Sequence, residues 1–313
     1  MQFRCLPPLL LLMLLVLCVL PADADDGRTQ PPQLLVVLNA DDQAHAQATQ
    51  LFRDTLPELA GSLRSLDHTS LVRADAHSAS LIVTLGTRAL EQTAELAPDV
   101  PIIATFLPRE GYERVRQAHP QLRMTAVFLD QPPARQIATL RTALPGIDTI
   151  ALIASPHSQV LADELARTAH DAGLKVRKHL IDDERQLYKA LQHSLTPGPV
   201  ALIMVPDSTL YNSHTIQNVL LTTYRYRAPV LGFSAAYTRA GALLSVHSSP
   251  EQVASEVARK VPPVLNGHPL PTPAYSSTFD ISLNPRVARS LGLPALDEDE
   301  LHSRVRSQEQ RTP

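Results

Sequence analysis

Short apolar runs alternate along the chain with longer stretches whose apolar positions recur at helical spacing. The first kind reads as buried strands and the second as amphipathic helices. Strands are predicted at 34–38, 70–74, 81–85, 101–106, 124–129, 149–154, 176–181, 201–205 and 229–233. Helices are predicted over 43–66 with breaks at Pro57 and Gly61, from residue 89, and over 110–119, 133–144, 157–172 and 184–195. Proline interrupts the first of these because it lacks the N–H a helix interior needs, and Gly173 suits the residue just past a helix end.

Two stretches share one grammar. Leu81-Ile82-Val83-Thr84-Leu85-Gly86-Thr87-Arg88 and Ala201-Leu202-Ile203-Met204-Val205-Pro206-Asp207-Ser208 each read as a strand, a polar turn and the start of a helix. After each helix comes a strand opened by proline, at Pro101 and at Pro229. In the first copy Gly86 permits close backbone approach, Thr87 can cap the helix, and the exposed N–H groups with Arg88 favour an anion. The plainer reading of such a turn is a strand-to-helix connection and nothing more. The repetition predicts two Rossmann-like α/β lobes with parallel sheets flanked by helices, and ligands on such sheets bind beyond the carboxyl ends of the strands.

The first lobe is expected over 33–130, with a crossing at 130–133, and the second over 131–234. The chain is then expected to return to the first lobe over about 235–268, through a strand near 240–246 and a helix over 250–265. About 270–293 would complete the second lobe, although a late strand at 277–282 suits either one. The last stretch, 294–313, opens with Asp297-Glu298-Asp299-Glu300 and reads as a solvated, disordered tail.

Composition narrows the function. Of 313 residues 44% are hydrophobic, enough for two ordinary cores, and the net charge of −3 with no basic cluster argues against a nucleic-acid surface. Arg4, the apolar run 9–20 and Ala22-Asp23-Ala24 read as a signal peptide, 1–24, that is cleaved on export to the periplasm. That run is short of the roughly 20 residues a membrane span needs. Lipid attachment at Cys18 is the weaker alternative, because bulky Leu17 precedes it. Both cysteines, Cys5 and Cys18, fall inside this leader, which leaves the mature chain without disulfides, thiolate chemistry or Cys-ligated metal.

The motifs of cofactor and metal enzymes are missing. Gly86 stands alone where a dinucleotide fingerprint has several glycines, and no two histidines have the spacing of a zinc protease. No cofactor or metal is expected. Gly232-Phe233-Ser234 resembles a variant nucleophile elbow, but no acid lies between Ser234 and His247, and Glu251 before His268 is an arbitrary choice. A secreted serine hydrolase is therefore the remote alternative, and Ser234 is more simply a helix cap or a ligand contact.

Taken in order, several pieces resemble the TrpX-like family of bacterial ABC-transporter substrate-binding proteins, which have the type I periplasmic-binding-protein fold. They are residues 81–87, Pro101-Ile102-Ile103, Leu144-Pro145-Gly146 before 150–153, Val205-Pro206-Asp207-Ser208, Gly241 to Ser245, residues 265–271, and Ile281 to Asn284 followed by Leu291-Gly292-Leu293. The resemblance implies a non-enzymatic receptor with a multi-stranded hinge, a small organic ligand and a membrane permease as partner. It places ligand contacts at Gly86, Thr87, Arg88, Thr105, Phe106, Ser155, Asp207, Ser208, Phe233 and Ser234. Arg88 departs from the family pattern, which has a small residue or proline there. A sensor or regulatory subunit of the same fold, acting through a protein partner, is the alternative. For an amino-acid-like ligand, Thr87 and Arg88 would hold the carboxylate and Asp207 the ammonium. Phe106, Phe233, Tyr211 or Tyr237 would wall the rest, unless these aromatics are core and Arg88 faces solvent.

Overall fold

The computed structural model describes residues 33–96 and 98–311, so the expected signal peptide and Cys18 lie outside the described residues. The first half runs β1 (Leu34–Leu38), α1 (Gln43–Thr55), β2 (Leu63–Asp67), α2 (Arg73–Ser78), β3 (Leu81–Leu85), α3 (Thr87–Glu95), β4 (Ile102–Thr105), α4 (Arg109–Ala118) and β5 (Met124–Phe128). The second runs α5 (Pro133–Ala143), β6 (Thr149–Ala154), α6 (Gln159–Asp171), β7 (Lys175–Leu180), α7 (Leu187–Ser194), β8 (Ala201–Ile203), α8 (Ile216–Arg225), β9 (Val230–Gly232), α9 (Ala235–Ala240) and β10 (Leu244–His247). The chain closes with α10 (Pro250–Leu265), β11 (Ala274–Tyr275), β12 (Asp280–Leu283), α11 (Pro285–Leu291) and α12 (Glu298–Arg311).

These strands build two six-stranded sheets, ordered β11-β5-β4-β3-β1-β2 and β12-β10-β9-β8-β6-β7. Every pairing is parallel except β10 with β12. Helices cover both faces, so the central strands are buried throughout rather than alternating. The period of two survives in which core each side chain joins. Leu34, Val36 and Leu38 pack with Phe52 of α1 and Val257 of α10, whereas Leu35 and Val37 pack with Leu90 of α3 and Tyr112 of α4. In the second half Ile150 and Leu152 meet Leu165 of α6, and Ala151 and Ile153 meet Leu191 of α7.

The two-lobed α/β architecture agrees with the sequence reading, and four details differ. Residues 70–74 form no strand: His68–Ser70 is a 3-10 turn that leads into α2, and the edge strand is β2. It escaped detection because only Leu63 of its five residues is fully buried, which removes the apolar run. The helix after β8 starts at Ile216, beyond a longer loop, rather than directly after the polar turn at 206–208.

The chain also stays in the second half through His247, because β10 pairs with β9, so residues 235–247 do not return to the first lobe. Among the described residues after β5, α10 and β11 are the elements that do, the latter by pairing with β5. The end of the chain is not a loose tail: α12 buries Leu301 and Val305, four residues apart on one face, in the core that Ile137 and Leu140 of α5 share.

Three segments therefore join the halves, at 129–132, 248–249 and 276–279. Their side chains are hydrogen-bonded to one another. Gln131 donates to the Ser248 hydroxyl at 3.0 Å, Ser248 donates to the Thr278 carbonyl at 2.7 Å, and Arg135 donates to both the Gln131 side chain and the Ser276 carbonyl. Glu256 of α10 accepts from Ser276 and Ser277. A shared polar network ties the three segments together.

Candidate functional site

The carboxyl ends of both sheets face a cleft beside this hinge. Its main cavity, about 530 Å³, is lined by Pro108 from the first half, by Pro206, Phe233, Ser234, Arg239 and His247 from the second, and by Leu129, Asp130 and Ser248 at the hinge. Two adjoining cavities extend it, one of about 280 Å³ over Arg109, Glu110 and Asp130, the other of about 350 Å³ over Thr87, Glu110, His157, Asp207 and Ser208. A cleft at the switch between two α/β lobes is where this architecture holds small ligands.

Six of the expected residues fall at this cleft or on the loops that shape it. Thr87 borders the third cavity, but it is the first residue of α3, and the cap position belongs to Gly86, at φ +89° and without a side-chain bond. Gly86 sits against the His45 ring, where a Cβ would lie 3.2 Å from Cε1. Asp207, Ser208, Phe233 and Ser234 also line cavities, and Ser155 supports Asp207 from behind. Ser234 caps α9, its hydroxyl accepting the Ala236 N–H at 3.2 Å.

The others lie away from these cavities. Arg88 is exposed and borders none of the three cavities, because it follows Thr87 around the helix to the solvent side. Thr105 is buried and donates to the Val127 carbonyl at 3.2 Å. Phe106, with φ 57°, meets the His45 ring edge-on. Tyr211 is core, its hydroxyl donating to the Ile153 carbonyl at 3.1 Å, and Tyr237 packs on Phe233 with ring centroids 4.6 Å apart.

Asp207 does not stand free to meet an ammonium. One oxygen accepts the Ser158 hydroxyl at 2.6 Å and the Ser155 N–H at 3.1 Å, and the other accepts the N–H groups of Thr209 and Leu210. Burial pushes its carboxyl up, yet the bonds from Ser155, Ser158 and Thr209 outweigh that and hold it below the usual range. Its work is to tie the loop after β6 to the loop after β8.

The acids that sequence reasoning missed are Asp130 and Glu110. Asp130, 7% exposed, accepts the Arg109 N–H at 3.0 Å, and burial pushes its carboxyl up to about 6 against that hydrogen bond. Burial also raises Glu110. Beside them Arg109 forms an ion pair with Glu164 of α6 that bridges the two halves. His247 is pushed down by burial, which leaves its imidazole neutral at neutral pH. In the sequence Asp130 reads as part of the Asp130-Gln131-Pro132-Pro133 break, and only its position at a lobe crossing hinted at more.

Among the described residues no three His, Cys, Asp or Glu side chains are grouped to hold a metal ion, and no helix is long and apolar enough to cross a membrane. The family model for ABC transporter substrate binding proteins matches residues 68–301. Solved structures share the fold at low identity. The ABC domain in complex with L-Trp from Streptococcus pneumonia is 17% identical, with a TM-score of 0.61 over 87% of this chain and 98% of that one. A conserved domain protein from Vibrio cholerae is 16% identical, with a TM-score of 0.61 over 88% and 98%. A ligand-free, open substrate binding protein with adhesive properties from Clostridium difficile is 15% identical, with a TM-score of 0.70 over 86% and 97%. Comparison with curated protein sequences gives no match.

Proposed function

The chain belongs to the ABC transporter substrate binding protein family, and from that premise we propose that it captures a small organic solute between its lobes in the periplasm and delivers it to the permease of an ABC transporter. The observation that carries this reading is the 530 Å³ cavity, to which both halves and the hinge contribute side chains. A solute seated there touches both lobes at once only when they are closed, so binding shifts the population towards the closed form that a permease recognises. The hinge network of Gln131, Ser248 and Arg135 favours rigid-body rotation over independent movement of the three segments.

The wall of Leu129, Phe233 and Pro206 suits an apolar body, and the polar residues around it suit an amino-acid-like or carboxylate-bearing solute. Of the contacts implied by the family resemblance, Thr87, Ser208, Phe233 and Ser234 are the ones assigned here to the solute, with Asp207 and Ser155 shaping the loops behind them.

Thermal unfolding of the mature protein with a panel of amino acids, small carboxylates and nucleobases tests the proposal. A ligand that binds only the folded state raises the midpoint by mass action, by about 2.7 kcal/mol of added stability at a hundredfold excess over Kd. A rise with one class of solute is the expected result. No rise across the panel would count against solute capture.

A further inference from the structure

We propose that Asp130 is the residue that reads the solute, and that the solute it selects carries a protonated amine on an apolar body; this rests on the reading of the cleft as a solute site. Asp130 sits at the first lobe crossing and lines both the 530 Å³ cavity and the 280 Å³ cavity next to it. It is the acid common to these two spaces, and it is almost fully buried.

Among the described residues no Lys, Arg or His forms an ion pair with it, and the nearby Arg109 guanidinium offsets its charge only in part. Among the described residues, the one donor to its side chain from another residue is the backbone N–H of Arg109. The Arg109 guanidinium is committed to Glu164, whose own charge opposes that of Asp130. The Tyr275 ring lies beside Arg109, 6.0 Å from its guanidinium carbon, and supplies no cation. Across the larger cavity Arg239 is exposed, and His247, whose ring bonds the Asp280 carbonyl, is held neutral by burial. In the smaller cavity Arg114 is 58% exposed and pairs with Glu91, while Glu110 and Glu113 add negative charge.

A buried carboxylate without a paired cation is costly, and a ligand that brings one recovers that cost on binding. Asp207 lacks this property, because four donors of its own lobe already satisfy it. Leu129, Phe233, Pro108 and Pro206 surround Asp130 with apolar surface, which fixes the rest of the ligand's character.

The test is titration calorimetry of the full mature chain with matched compounds: L-tryptophan, L-phenylalanine and L-leucine, the amines that lack their carboxylates, the acids that lack their amines, and the neutral polyols glucose and myo-inositol. Wild type and D130N are compared at pH 7.5 and pH 5. Amine-bearing compounds are expected to bind wild type and to lose about tenfold or more in affinity in D130N. They are also expected to lose about tenfold in wild type at pH 5, where Asp130 is protonated, with that pH dependence reduced in D130N. The wild-type pH comparison holds even if D130N folds poorly.

Unchanged affinity in D130N would overturn the role of Asp130 while solute capture stands. Binding confined to the deaminated acids or the polyols would overturn the selection of an amine, again with solute capture intact. Binding of no compound to wild type would overturn this inference and count against solute capture itself.

Discussion

The hydroxyl of Ser158 and the carboxylate of Asp207 lie 2.6 Å apart, joining loops 49 positions distant in the chain. Each loop follows a parallel strand of the second sheet. The carboxylate bonds both, so one acid ties two loops at the rim of the cleft.

Replacing Asp207 with alanine leaves the N–H groups of Ser155, Thr209 and Leu210 without their acceptor. The expected loss is about 2–4 kcal/mol, measured by urea denaturation, with asparagine costing less because it still accepts. The pKa of Asp207 is lower in the folded chain than in the unfolded one. Its contribution is therefore present above the ordinary carboxylate range and is lost as pH falls through the folded value. A full-stability Asp207→Ala protein would remove its role as a tie.

Asp130 has the opposite sign. Its folded carboxyl is raised from 3.8 to about 6, so between these values the folded chain holds more protons than the unfolded one and stability falls as pH rises. Asp130→Asn abolishes that loss. The variant is expected to gain on wild type by up to about 3 kcal/mol between pH 4 and pH 7, and denaturation midpoints across that range measure it. Parallel pH profiles for the two proteins would contradict this.

Arg135 joins the hinge to the end of the chain. Its guanidinium bonds Gln131 and the Ser276 carbonyl, reaches Glu309 of α12 at 2.6 Å, and lies 4.2 Å from the centre of the Phe279 ring. Arg135→Met is expected to cost about 2–4 kcal/mol, since buried acceptors lose their donor, and Glu309→Gln only about 1 kcal/mol, since Glu309 is partly exposed. Removing residues 298–311 should cost more than either, because Leu301 and Val305 leave the core. Thermal unfolding of the three variants ranks them.

Gly86 is fixed by two independent constraints, its positive φ and the His45 ring against it. Gly86→Ala is expected to cost about 1–3 kcal/mol and to shift the start of α3. A midpoint equal to that of wild type in a thermal scan would show that the turn relaxes freely.

What the sequence determined by itself was the layered α/β architecture. Runs such as Leu81 to Leu85 and Ile150 to Ile153 are apolar on both sides of the strand, and only a sheet covered on both faces accommodates that pattern. The same logic failed wherever burial was one-sided or non-local. Edge strand β2 has too few buried residues to leave a run, and α12 looks like a charged tail until Leu301 and Val305 are seen against α5. The cleft divides in the same way. Thr87, Phe233 and Ser234 closely follow strand ends and Ser208 lies on the loop after β8, so a strand-end reading reaches these cavity-lining residues. Tertiary structure alone decided that Asp207 is saturated by Ser155, Ser158, Thr209 and Leu210, that Arg88 faces solvent, and that Asp130 is buried in the cleft beside an ion pair already closed between Arg109 and Glu164. Hydrogen-bond saturation and desolvation depend on which distant loops meet, and a local pattern of residues carries no record of that.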